Sequence, residues 1–183
     1  MGGVLVRHFF TASIILGMLS LPSEGVACEI NQYFFGTDIE RIREQLGVAP
    51  SMLKISDKET LTVTGKQACR WSSDFHDLKI EFTFLYNQLV NIRLTRYPID
   101  KPSLMIWART QFGEFDDPGK GASLSTRNVQ LFRDGSEKLL FYSIRPVRSA
   151  FEEMVEVTSK RHETLYQKYF IEVEQVLEGG EVQ

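Results

Sequence analysis

The chain has 183 residues, 43% of them hydrophobic and 25% charged, with a formal net charge of −3. That length suits a single domain with a core large enough to sustain itself. The slightly acidic balance excludes a nucleic-acid partner held by a basic surface, because such proteins carry a clear excess of Lys and Arg.

At the start of the chain Arg7 precedes an apolar run from Phe9 to Leu21, and Pro22, Ser23 and Glu24 then break it. Gly25 and Ala27 supply the small residues that a signal peptidase reads, which completes the order of a secretory signal. The run falls short of the about 20 apolar residues needed to span a bilayer. Residues 1–27 are therefore expected to be a signal peptide cleaved after Ala27, followed by one domain over 28–178 and a disordered tail over 179–183. Removing Arg7 and Glu24 together leaves the net charge unchanged. The mature protein is expected in the periplasm or secreted, without a transmembrane segment.

Cleavage after Ala27 would expose Cys28 as the first residue and opens two alternatives. One is a lipid anchor at Cys28, but Gly25 stands where lipoprotein signals usually place a Leu. "PSEG" separates the apolar run from the cysteine, and "EINQYFF" follows where a polar tether belongs. The other is a disulfide to Cys69, the only other cysteine, in an oxidising compartment. The disulfide is the favoured reading, and closing that loop restricts the unfolded chain by about 4 kcal/mol.

The first helix is expected in "TDIERIREQLG". Thr37 and Glu40 have capping-box spacing, Ile39, Ile42 and Leu46 form one stripe, and Gly47 supplies the stop. "TLTVTG" reads as a short strand, and "KQACRWSS" as a second strand or strand edge. Alternation is strongest in "LKIEFTFLYNQLVNIRLTRY", where Leu78, Ile80, Phe82, Phe84 and Tyr86 share one face and Val90, Ile92 and Leu94 continue it. A two-residue turn at Asn87-Gln88 would set Phe84 opposite Asn91 and spoil that face. An odd loop of three or five residues centred on Gln88 is expected instead, pairing Phe84 with Ile92 and Phe82 with Leu94.

"DKPSLMIWARTQFG" reads as a second helix with Pro102 in its first turn and Gly113 at its end. "EFDDPGKGASLSTR" reads as an exposed loop. A second hairpin is expected from "NVQLFR" and "KLLFYSI" around Asp134-Gly135. From Ser149 to Leu177 the pattern reads as helix, with Ser149 and Glu152 at capping-box spacing and a break near Thr158-Ser159. These elements give an α+β fold: an antiparallel sheet of two hairpins plus one or two short strands, with helices packed on one face.

The residues offer little chemistry. "SSDFHD" places His76 between Asp74 and Asp77, but triads are assembled by folding rather than by sequence neighbours. Beyond residue 27 the histidines are His76 and His162, and the cysteines are not closely spaced, so no metal site is expected. "GEFDDPGKGAS" departs from a phosphate-binding loop in spacing, residue and context. Glu114, Asp116 and Asp117 lack the alternation of a calcium loop. No cofactor is expected and no catalytic residue is assigned. Tyr33, Phe34 and Phe35 are consecutive, as are Leu140, Phe141 and Tyr142, so one of each set must face away from the main core. Tyr33, Phe34, Phe35 and Tyr142 are the candidate interaction surface. The expected function is that of an exported, non-catalytic binding protein of the bacterial envelope with a protein partner, such as an inhibitor, immunity or assembly factor. The alternative is an exported hydrolase using His76 with acids from other segments.

Overall fold

A computed structural model describes residues 28–49, 57–99, 101–116 and 129–179. The expected signal peptide, most of the expected acidic loop (117 to 128) and the tail from 180 lie outside them. The described strands build one antiparallel sheet: β1 (Lys58–Thr64), β2 (Lys79–Leu85), β3 (Gln88–Arg96), β4 (Val129–Asp134), β5 (Lys138–Val147) and β6 (Ala150–Ser159). Their order is β1-β2-β3-β6-β5-β4. Each half is a three-stranded meander preceded by a helix, α1 (Ile39–Leu46) before β1 and α3 (Ser103–Phe112) before β4. The halves meet where β3 pairs with β6, from Asn91↔Thr158 to Arg96↔Glu153, an order that two-fold-related units produce. A short α2 (Gly65–Ala68) interrupts the first meander, and α4 (Glu163–Gly179) follows β6.

Alternation along the strands puts Val63, Ile80, Phe82, Ile92, Leu94, Val155 and Val157 on one buried face. Ile39, Ile42 and Leu46 of α1 and Leu104, Trp107 and Ala108 of α3 join them in the same core. Burying each large aliphatic or aromatic side chain contributes about 1.5–3 kcal/mol. The other face is polar, and Asn91, Arg93 and Glu156 share a cleft there with Tyr166, Tyr169 and Phe170 of α4. The α+β sheet is as the sequence implies. Two helices pack on one face as expected, whereas α4 lies over the other.

Four local expectations are corrected. The cap of α1 is Asp38, whose Oδ1 accepts from Arg41 N at 3.0 Å, rather than Thr37; Gly47 ends the helix in left-handed backbone as expected. "KQACRWSS" is not a strand but α2 and its exit, with Thr64 and Gln67 forming a capping box. At Gly65 an added Cβ would lie 1.6 Å from Phe75 O, so the chain passes too close for any other residue.

The β2–β3 hairpin turns at Tyr86-Asn87, both with positive φ, and pairs Leu85 with Gln88. The expected odd loop is absent. Between Thr83↔Asn91 and Phe84↔Leu89 the register shifts, so Val90 is an extra residue in β3, and Phe82 pairs with Ile92 and Ile80 with Leu94. The bulge restores the inward face that a two-residue turn alone would lose.

The expected helix from Ser149 begins instead as β6, whose ten residues pair with β5 and whose residues from Glu153 to Thr158 also pair with β3; the helical part is the 3₁₀ turn Lys160–His162 and α4. Val155 and Val157 point inward with Glu153 on the same register, a charge where an apolar residue would have marked the strand. Glu153 is fully buried. Its carboxylate accepts from Ser103 N at 3.1 Å, Met105 N at 3.0 Å and the Tyr142 hydroxyl at 3.0 Å. It thereby caps α3, where Pro102 at the N-cap offers no side-chain acceptor. Burial, then the adjacent Glu153, holds the Tyr142 phenol far above its usual range, so it stays protonated and donating.

Cys28 and Cys69 form a disulfide with their Cα atoms 4.8 Å apart. The sulfur that a lipid anchor needs is committed to that bond. Trp107 Nε1 donates to Cys28 O at 3.1 Å, a second tie between the N-terminal segment and the core.

Candidate functional site

The disulfide and the burial of Tyr33 fix the segment Asn31–Phe35 against the sheet. Tyr33 is 5% exposed, its ring edge-on to Phe82 and its hydroxyl donating to Ala68 O at 3.3 Å. Phe35 is half-buried against the core. Between them Phe34 is 71% exposed. One of the three aromatic residues therefore faces water, as consecutive residues require, and it is held by anchored neighbours on both sides. Tyr142 is fully buried beside Glu153 and belongs to the core rather than to this surface. Of its sequence neighbours, Leu140 is also buried and Phe141 is half-buried on the polar face, its ring tilted against Phe132 with centroids 4.9 Å apart.

Phe34 lies at a cleft of about 640 Å³, whose other walls include Phe112, Lys138, Ser159, Arg161 and His162. That volume lies within the range of small-ligand and peptide-side-chain sites. Lys138 opens β5 and pairs with Ser159 at the end of β6, so both stand on the inward register of their strands. Lys138 Nζ donates to Asn31 Oδ1 at 2.9 Å and lies 5.9 Å and 5.4 Å from the ring centroids of Phe35 and Phe112. Partial burial lowers its pKa, and neighbouring Glu137 opposes that shift. Arg161 pairs with Glu137.

Ser159 Oγ and His162 Nδ1 share a hydrogen bond of 2.7 Å, and the other ring nitrogen lies against Gly36. Gly36 has φ +86°, and a Cβ there would come within 3.0 Å of His162 Nε2. Burial, then the charge of Arg161, lowers the His162 pKa, so the ring is neutral at neutral pH. Among the described residues no hydrogen-bonded carboxylate orients this ring, and the pair holds the β6–α4 junction together locally.

His76 sits elsewhere, at the end of the 3₁₀ turn Ser73–Phe75, and does not line this cleft. Of its acidic neighbours, Asp77 is engaged by Arg96, which donates to Asp77 Oδ1 at 2.9 Å and to the backbone carbonyl of Asp74. Glu114 pairs with Arg109 at 2.7 Å, and Asp116 Oδ2 accepts from Asp134 N at 2.7 Å. These acids close local structure. Among the described residues no group of three or more His, Cys, Asp or Glu is placed to hold a metal.

A smaller cleft of about 230 Å³ lies under α4 on the opposite face. Arg93 reaches Glu156 there at 2.9 Å, Asn91 donates to Glu156 at 2.7 Å, Glu81 is paired with Lys79 from outside the cleft at 2.7 Å, and Lys58 Nζ lies 5.6 Å from the Tyr169 ring centroid. Burial, then Glu156, raises the Tyr166 phenol pKa. Along α4, Phe170, Val176 and Leu177 are exposed, and Trp71, 84% exposed, stands beside the disulfide. No described helix is long and apolar enough to cross a membrane.

The aromatic run in the sequence singles out Phe34 and Phe35, which line this cleft of about 640 Å³, but not Lys138, Ser159 or His162. The available signal was a charged residue on an inward strand position: Lys138 shares its register with Leu140 and Tyr142. No family model, curated protein or solved structure matches the chain.

Proposed function

We propose that this is an exported, non-catalytic binding protein of the bacterial cell envelope, acting on a protein partner through the surface around Phe34. The observation that carries the reading is Phe34 itself, a large aromatic side chain 71% exposed between two anchored neighbours at the edge of a cleft. Aromatic residues, Phe among them, are enriched in the buried cores of protein interfaces relative to the rest of the surface. Export is supported by the secretory pattern of residues 1–27 and by the disulfide, a bond that persists in oxidising compartments.

The test is affinity capture from envelope extracts with the wild-type chain and with Phe34→Ala as baits. The same partner recovered by wild type and lost with Phe34→Ala is the expected result. Equal recovery by both baits, or none by either, overturns the reading. N-terminal sequencing of the secreted chain checks export separately, and the expected first residue is Cys28.

A further inference from the structure

We propose that the cleft beside Phe34 recognises a carboxylate carried next to an apolar or aromatic group, with Lys138 as the residue that selects for the charge. The partner is then an acidic, aromatic peptide segment. This inference rests on the binding reading above and names the chemistry of what is bound.

Lys138 differs from the lysines that form ion pairs here. Lys79, Lys160 and Lys168 each lie within 4 Å of a carboxylate, at 2.7, 2.6 and 3.8 Å. Among the described residues Lys138 has no such partner. Its charge meets an amide oxygen at 2.9 Å and two aromatic ring faces. Glu137, the acid next to it in sequence, is paired with Arg161. Partial burial disfavours the ammonium form, and the nearby charge of Glu137 offsets only part of that. An incoming carboxylate removes that penalty by a charge-assisted hydrogen bond, and a neutral amide does not. The rings of Phe34, Phe35 and Phe112 supply the apolar platform for the neighbouring group. Arg161 and Glu137 line the same cleft but pair with each other, so Lys138 is left as one cation beside aromatic rings, which suits a carboxylate better than a phosphate, whose sites gather several arginines. In the cleft under α4, by contrast, Arg93 already has its acid in Glu156.

The probe pair is N-acetyl-phenylalanine and N-acetyl-phenylalaninamide, titrated into ¹⁵N-labelled protein and followed by amide shifts. The acid is expected to bind about tenfold tighter than the amide, the difference one charge-assisted hydrogen bond makes. Saturable shifts are expected at Asn31, Phe35 and Lys138. Lys138→Met is expected to bring the two affinities together without weakening the amide, and Lys138→Gln replaces it if the first variant does not fold. Equal affinities in wild type, discrimination that survives at position 138, or shifts confined to the α4 face overturn the proposal. So does inorganic phosphate displacing the acid at lower concentration than the acid itself needs. Loss of discrimination with Phe34-dependent capture intact removes the ligand class and leaves the interface. Acid binding without Phe34-dependent capture does the reverse.

Discussion

The two helix-and-meander halves share a plan but close the first turns of their helices differently. In the first half the caps are local to the surface: Asp38 accepts from Arg41 N, and Asn87, from the β2–β3 turn, accepts from Ile39 N at 3.2 Å. In the second half the cap comes from the middle of the sheet, where Glu153 takes two backbone donors of α3 and the Tyr142 hydroxyl at once. The first arrangement leaves its acceptors partly in water, and the second commits a buried acid to three donors. A buried donor without an acceptor costs about 1–3 kcal/mol, so the same structural task carries a different penalty for failure in each half.

Substitution ranks the two halves. Glu153→Ala orphans three donors and is expected to destabilise the domain most, by about 3–5 kcal/mol in urea unfolding. Glu153→Gln keeps an acceptor and is expected to cost less than half as much. An alanine variant within 1 kcal/mol of wild type would mean that α3 is not capped from the sheet. Next in size is the disulfide. The double variant Cys28→Ala/Cys69→Ala is expected to lose about 2–4 kcal/mol relative to the oxidised protein. Asp38→Ala removes only a local cap and is expected to cost about 1 kcal/mol. The smallest effect belongs to Phe34→Ala, expected within about 0.5 kcal/mol of wild type because the side chain is largely in water. Its capture phenotype is then a binding effect rather than a folding one.

The same contrast explains what could be read in advance. Helix α1 announces itself because its stripe and stop are all local. The β2–β3 face was legible, but its register depends on a bulge at Val90 that alternation alone does not reveal. Strand β6 was hidden because Glu153 occupies an inward position, which broke the apolar alternation and left Phe151, Met154 and Val155 at helical spacing. The site divides likewise. Phe34 follows from three aromatic residues in a row, one of which must face outward. Lys138 reaches Asn31 across 107 positions, and no local pattern encodes that meeting. In both Glu153 and Lys138 the informative feature is a charge on the inward register of a strand. One is satisfied by the fold, and the other has no carboxylate partner among the described residues.

The most direct test of the account places a photo-reactive phenylalanine analogue at position 34 in one chain and at position 170, exposed on α4, in another. Each is irradiated in the envelope of its host. The account predicts a discrete cross-linked species from position 34 that excess N-acetyl-phenylalanine suppresses, with none from position 170. Cross-linking from position 170 alone, or from neither, would contradict it.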